Sequence, residues 1–205
     1  LGGYYNLLIL PYVLGSSVVL NQTFDPKLSL NFWEPIIRNN VNTLWLVPSI
    51  MSILLEMDRG VDGKNYCRKN IKLTLVGTAP LPVQLKKDFE KEYGIKIFEN
   101  YGLSETLFIS SETQITQTSD DSGVGKLLQG IEVKIVDKDG ILLPTDQEGE
   151  ILAKTPYLMR EYHGNTEESQ QKFSIQTWFE TGDLGKMDRD GFLYITGRKK
   201  DLIIR

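Results

Sequence analysis

Thr181-Gly182-Asp183-Leu184, followed after one strand's length by Gly191-Phe192-Leu193-Tyr194-Ile195-Thr196-Gly197-Arg198-Lys199-Lys200-Asp201, is the most informative stretch of the chain. Asp188-Arg189-Asp190-Gly191 reads as the turn between the last two strands. A carboxylate at Asp183 offers two acceptor oxygens, which suits the paired hydroxyls of a ribose, and the turn residues Thr181 and Gly182 let the backbone bring it close. Arg198 is a planar, permanently charged fork of the kind that sits beside an anionic nucleotide. Taken singly, Asp183 reads first as a turn-capping aspartate and Arg198 as a solvated surface charge.

Outward from these segments the chain falls into two halves. From about Gly123 short strands are separated by turns: Ile131 to Val136 alternates at period two, Asp139-Gly140 is a hairpin signal, and Gly149 to Ala153 starts a further strand. Asn165 to Phe173 reads as one short polar helix. Upstream, short apolar strands alternate with helical segments: Ser17 to Leu20, a helix from Asp25-Pro26 to roughly Arg38, the strand Thr43 to Val47, a helix from Pro48 to Met57, and the strand Leu73 to Val76. Pro82 to Tyr93 is an amphipathic helix with Leu85 and Phe89 inward, and Ile95 to Phe98 leads into a loop at Tyr101. Strands alternating with helices imply a parallel, helix-covered sheet. The expected fold is therefore α/β: a parallel-type α/β subdomain over residues 1–118, a small, mostly antiparallel β-barrel or sandwich over residues 119–196, and a terminal segment over residues 197–205.

The loop Asn100-Tyr101-Gly102-Leu103-Ser104-Glu105-Thr106 follows a buried strand. Glu105 is placed to hold a hard cation through its oxygens, and Ser104 to donate a hydrogen bond to a phosphate. Read structurally, the loop is a strand-turn-strand corner with Tyr101 as core filler. Val76-Gly77-Thr78-Ala79-Pro80-Leu81 lies at a strand end before a helix, where ligands bind in open parallel sheets. By itself it is only a strand-turn-helix junction. Ser122-Gly123-Val124-Gly125-Lys126 lacks the Walker spacing and reads as the turn into the second half.

The loop at Tyr101 together with the Thr181-Gly182-Asp183 and Gly197-Arg198-Lys199-Lys200-Asp201 segments resembles the signature set of the adenylate-forming superfamily, which includes acyl-CoA and aryl-CoA synthetases, luciferases and peptide-synthetase adenylation domains. The resemblance implies that Tyr101 stacks on adenine, Gly102 leaves room for an acyl group, Ser104 touches the α-phosphate and Glu105 is the Mg2+ ligand. The family more often has threonine where this chain has Ser104, which keeps the hydroxyl. It assigns Asp183 to ribose and Arg198 to ribose or phosphate, and places Gly77, Thr78, Ala79, Pro80, Asn100 and Ile195 among the nucleotide-binding positions. Asp201 matches the hinge aspartate about which a small C-terminal domain swings. The implied activity is that of an ATP-dependent, AMP-forming acid-thiol ligase, which joins a carboxylate to the α-phosphate of ATP and passes the acyl group to coenzyme A. Such chemistry asks the protein mainly for positioning and charge neutralisation. Carrier-protein phosphopantetheine as acceptor, and a nucleotide-binding or interaction module of the same fold without catalysis, stand as alternatives.

Against the family pattern, the phosphate-gripping Ser/Thr/Gly-rich loop is expected upstream of Leu1 and the lysine-bearing C-terminal domain after Arg205. The chain then corresponds to the later part of the large N-terminal domain of a longer protein, and alone should be nearly inactive. The acyl pocket is expected near Trp45, Met51, Gly77 and Gly102, although Trp45 and Met51 read equally as core.

Composition narrows the field without deciding it. A formal net charge of -4 over 205 residues gives no basic stripe to neutralise a nucleic-acid backbone. The single cysteine, Cys67, excludes an internal disulfide and a cysteine-based metal cluster, with reducing cytoplasm as the default compartment. The single histidine, His163, has no metal-ligand partners in its vicinity in sequence, and no Gly-x-Ser-x-Gly elbow exists. The apolar opening from Leu1 to Leu20 is broken by Asn6, Pro11, Gly15, Ser16 and Ser17, so it reads as a buried helix and a buried strand rather than a membrane span. Asn21-Gln22-Thr23 satisfies the glycosylation sequon, which reads as accidental here.

Overall fold

The structure, a computed structural model, describes residues 2–21, 23–25, 31–58, 60–116, 122–164, 173–174 and 178–201. The chain forms two compact units, Leu1–Phe98 and Glu99–Arg205. The expected change of pattern at residues 118 and 119 lies outside the described residues.

The first unit opens with a helical run made of α1 (Gly2–Tyr4), a π-helical turn (Tyr5–Ile9) and α2 (Leu10–Val13). The helix was expected, but its burial was not correct: Tyr12 is 84% and Leu14 67% exposed. The chain continues through Gly15, at φ 64, into extended backbone where Ser17 to Leu20 joins no ladder among the described residues. A strand needs neighbours to take its hydrogen bonds, and apolar content alone does not supply them. No helix among the described residues is long and apolar enough to cross a membrane.

The remaining elements of this unit are α3 (Trp33–Arg38), β1 (Thr43–Leu46), α4 (Pro48–Met57), α5 (Asp62–Asn70), β2 (Leu73–Val76) and α6 (Val83–Tyr93). Of the helix expected from Asp25-Pro26, residues 26–30 lie outside the described residues. Strands β1 and β2 pair in parallel, Thr43 beside Leu73 through Leu46 beside Val76. Pro48 opens α4, where its missing N–H costs nothing, and Gly94 closes α6 at φ 66. Phe89 and Tyr93 stack at 4.4 Å and join Leu44, Leu46, Met51, Leu54 and Ile97 in the core. Helix α5 was not read from the sequence: Asp62–Asn70 is polar, and its buried residues, Gly63 and Cys67, make no apolar stripe. Gly63 is needed because the Trp33 indole occupies the place a β-carbon would take. The buried Asp58 carboxylate ties the core together, accepting from Trp33 Nε1 at 2.8 Å, Tyr93 Oη at 2.8 Å and the Gly60 amide at 2.9 Å.

Strand β3 runs over Phe98–Leu103, so Ile95 and Ile97 reach the core without strand structure. The second unit continues with β4 (Leu107–Ser111) and β5 (Lys126–Leu127), in the antiparallel order β3-β4-β5. It then forms β6 (Glu132–Val136), β7 (Gly149–Lys154), β8 (Phe173–Ser174), β9 (Trp178–Met187) and β10 (Leu193–Arg198). These make an antiparallel sheet of order β10-β9-β7-β6, with β8 beside β9. Among the described residues the sheet is open, not a closed barrel. Ile109 of β4 and Ile135, Ile151, Ala153 and Leu193 of the second sheet share one core, the sandwich-like arrangement. Residues 165–172 of the expected polar helix lie outside the described residues, and Phe173 begins β8. Both hairpin turns are capped by an aspartate. Asp137 accepts from the Asp139 and Ile141 amides at 2.9 Å, and Asp188 from those of Asp190 and Phe192 at 2.9 Å.

Candidate active site

Strand β9 is distorted where the candidate carboxylate sits. Glu180 pairs with Leu152 and Leu184 with Glu150, so Thr181, Gly182 and Asp183 lie opposite the single residue Ile151 of β7. Gly182 adopts φ 72, which a side chain would resist. The Thr181 hydroxyl repairs the ladder, donating to the Ile151 carbonyl at 2.8 Å and accepting from the Asp183 amide at 3.1 Å. A bulge of this kind re-aims a side chain, and here it brings Asp183 level with Arg198 on β10.

Asp183 is 3% exposed and held from two sides. Arg198 Nε lies 2.8 Å from its Oδ1, and the Tyr101 hydroxyl donates to its Oδ2 at 2.7 Å. Burial raises the Tyr101 phenol well above its ordinary range, and the Asp183 charge and hydrogen bond raise it further, so the phenol stays a donor. A carboxylate has about four lone-pair sites, so one acceptor position remains on each oxygen after these two bonds. Two acceptors on one carboxylate match the chemistry of a vicinal diol. The Tyr101 ring also packs against the core of its unit, so the core-filler reading of that residue holds in part.

Ser104, Glu105 and Thr106 form the turn between β3 and β4. Gly102 has a local reason to be glycine: a β-carbon there would collide with the Leu107 carbonyl and with Phe108 Cα at 2.8 Å. Thr106 is fully buried, accepting from the Leu103 amide at 3.3 Å and donating to the Leu107 carbonyl at 3.0 Å. Ser104 is exposed and Glu105 half-buried. The Glu105 Oε1 accepts from the Tyr162 hydroxyl at 2.8 Å, and the Glu105 carbonyl from the Met159 amide at 2.8 Å. Among the described residues no group of three metal-ligating side chains occurs. One carboxylate fits Mg2+, which keeps several waters and takes its other ligands from phosphate oxygens.

The remaining candidates are positioned by the same local rules. Asn100 lies on β3 opposite Ser111 of β4, and Ile195 on β10 packs against the core of the second unit. Gly77, Thr78, Ala79 and Pro80 belong to the first unit, just after β2. Thr78 there has φ 73, a strained value for a threonine, and such strain collects at functional loops. Asp201 ends an exposed 3-10 turn, Lys199–Asp201. The turn is anchored at its start by the Lys199 ammonium, 2.6 Å from Glu150, a contact that raises the lysine's pKa. Sequence reasoning missed Tyr162 and the Tyr101 hydroxyl bond to Asp183, because both join residues far apart in the chain.

A family model described as AMP-binding enzyme matches residues 3–163. The chain belongs to that family. Within it, the sulfoacetate–CoA ligase of Cupriavidus necator is 31% identical over 96% of this chain and 37% of its own length. The 2-succinylbenzoate–CoA ligase of Bacillus subtilis is 33% identical over 94% of this chain and likewise 37% of its own length. The chain thus spans 37% of the length of these curated relatives. Among solved structures, an anthranilate CoA ligase in complex with anthranoyl-AMP superposes with a TM-score of 0.86 at 25% identity, covering 98% of this chain and 38% of that one. The O-succinylbenzoate coenzyme A synthetase of Bacillus subtilis in complex with ATP and magnesium ion gives 0.79 at 31% identity, covering 96% and 39%.

Proposed function

We propose that this chain is the nucleotide-gripping part of an ATP-dependent, AMP-forming acid–CoA ligase, and that its parent activates a carboxylate and transfers the acyl group to coenzyme A. The observation that carries the reading is the buried Asp183 carboxylate, fixed by Tyr101 and Arg198 with one acceptor position left on each oxygen. Similarity to CoA ligases, and to one structure in complex with ATP and magnesium ion and another in complex with anthranoyl-AMP, supports it. In the proposed reaction the acid's carboxylate oxygen attacks the α-phosphorus of ATP and pyrophosphate leaves. The thiol sulfur of coenzyme A then attacks the acyl carbon, AMP leaves and the thiol proton is released. Asp183 would hold the ribose hydroxyls, the Tyr101 ring would bear on adenine, Ser104 would donate to the α-phosphate, and Glu105 would hold Mg2+. When bound, the metal would supply charge neutralisation on the phosphates.

The test is pyrophosphate release by the full-length parent against a panel of acids, with mass spectrometry of the thioester. Acid-dependent release is the expected result; nucleotide binding without any acid-dependent release would make the protein a non-catalytic module. Glu105→Gln tests the metal assignment, because the amide oxygen can still accept from Tyr162 while the charge is lost. Adenylation should fall sharply and be partly recovered by excess magnesium, whereas thioester formation from a preformed acyl-adenylate should suffer less. Equal loss in both half-reactions with a lowered melting temperature would make Glu105 a support for its loop.

A further inference from the structure

Glu105 is held twice from one segment, its main chain by the Met159 amide at 2.8 Å and its carboxylate by the Tyr162 hydroxyl at 2.8 Å. That segment follows β7 and is shaped by Thr155, whose hydroxyl accepts from the Tyr157 amide at 3.1 Å. On the other side Thr106, fully buried, closes its hydroxyl onto Leu103 and Leu107. The Glu105–Thr106 peptide is therefore held at both ends, by the Met159 amide on the Glu105 carbonyl and by the Thr106 bonds, and the Tyr162 hydroxyl restricts the Glu105 side chain. The bond uses Oε1 and leaves Oε2.

We infer that Tyr162 is a positioning residue that restricts Glu105 to one-oxygen ligation and thereby favours Mg2+ over larger divalent cations. The inference rests on the proposed metal role of Glu105. The physical reason is coordination geometry. Mg2+ takes single carboxylate oxygens in a tight octahedron, whereas Ca2+ accepts more ligands and often both oxygens of one carboxylate. A hydrogen bond to Oε1 competes with two-oxygen binding, and it fixes the side-chain rotamer in advance, so less entropy is lost when Oε2 takes the metal. Partners that orient a metal-binding carboxylate in this way typically matter to metal affinity by about 10-fold or more.

The experiment compares the full-length parent with its Tyr162→Phe variant, which keeps the ring and removes the donor. Mg2+ and Ca2+ are titrated calorimetrically into each protein saturated with a non-hydrolysable ATP analogue. Mg2+ affinity is expected to fall about 10-fold, Ca2+ affinity to fall less or rise, and the Mg2+/Ca2+ ratio to drop accordingly. Thioester formation from a preformed acyl-adenylate should stay within about two-fold, since the metal's partner, pyrophosphate, has already left. An unchanged ratio, including one in which both affinities fall together with the melting temperature, overturns the inference. Tyr162→Leu, which also removes the donor and leaves the carboxylate untouched, provides the same readout if Tyr162→Phe does not fold, and an unchanged ratio there overturns it equally. Failure of the unmodified parent to bind either cation with the analogue would overturn the metal role of Glu105 itself, whereas normal binding with no effect of Tyr162→Phe removes only the role given to Tyr162.

Discussion

Asp183 is held by two donors that differ in what they provide. Arg198 brings charge from a side chain that is 60% exposed, so solvent weakens its attraction, while the Tyr101 hydroxyl is a neutral donor kept protonated by burial. Losing the carboxylate removes a charged hydrogen-bond partner, worth roughly 1.5–3 kcal/mol. Asp183→Ala should therefore weaken ATP binding by the parent about one to two orders of magnitude in calorimetry. Tyr101→Phe should cost less, because the ring and the Arg198 contact both remain. Unchanged affinity in Asp183→Ala would make the carboxylate a structural partner of Arg198 and Tyr101 only. Asp183, Arg198 and Glu105 could be singled out as candidates because each sits in a short contiguous motif. Tyr162 was not: it meets Glu105 across 57 residues, and a lone tyrosine in a polar stretch carries no periodic signal.

Strand β9 shows what an element adds beyond its residues. Period-two alternation located β6, and turn signals the strands around it, but neither can show that three residues of β9 face one of β7. The N-terminal segment failed in the opposite sense, since apolar content indicated burial where Tyr12 and Leu14 stay exposed. Helix α5 went unread because a small glycine and a cysteine form its buried face. At the bulge, Thr181→Val keeps the shape but strands the Ile151 carbonyl and the Asp183 amide, a loss of about 1–3 kcal/mol per unsatisfied buried group. Gly182→Ala at φ 72 adds backbone strain of about 1–2 kcal/mol. Both variants should lower the melting temperature and reduce nucleotide affinity together, because the same kink aims Asp183. A variant that melts earlier yet binds nucleotide as tightly as the unaltered protein would separate the bulge from the site.

At the scale of the whole molecule each unit carries its own core, and the first is built around buried protons as well as apolar contacts. The Cys67 thiol is pushed up to about 12, chiefly by burial and then by the charge of Asp58. Burial raises the Tyr93 phenol as well, helped by its hydrogen bond to Asp58. In the unfolded chain these groups release their protons near pH 8.5 and pH 10, about their ordinary values. The folded unit keeps protons that the unfolded chain gives up, so stability falls with rising pH. The contribution is complete below about pH 8.5 and for the thiol is lost progressively toward about pH 12. Urea unfolding followed by tryptophan fluorescence should thus show a midpoint that drops between about pH 8 and about pH 10. Cys67→Ala removes the thiol titration and leaves Tyr93, so it should lower stability at neutral pH through the lost packing yet flatten the alkaline decline. The two effects have opposite signs in the same curve, which distinguishes proton linkage from simple cavity formation. Parallel declines in the two proteins over that range would show that the thiol titrates alike in the folded and unfolded chain, and that the buried Asp58 cluster does not hold its proton.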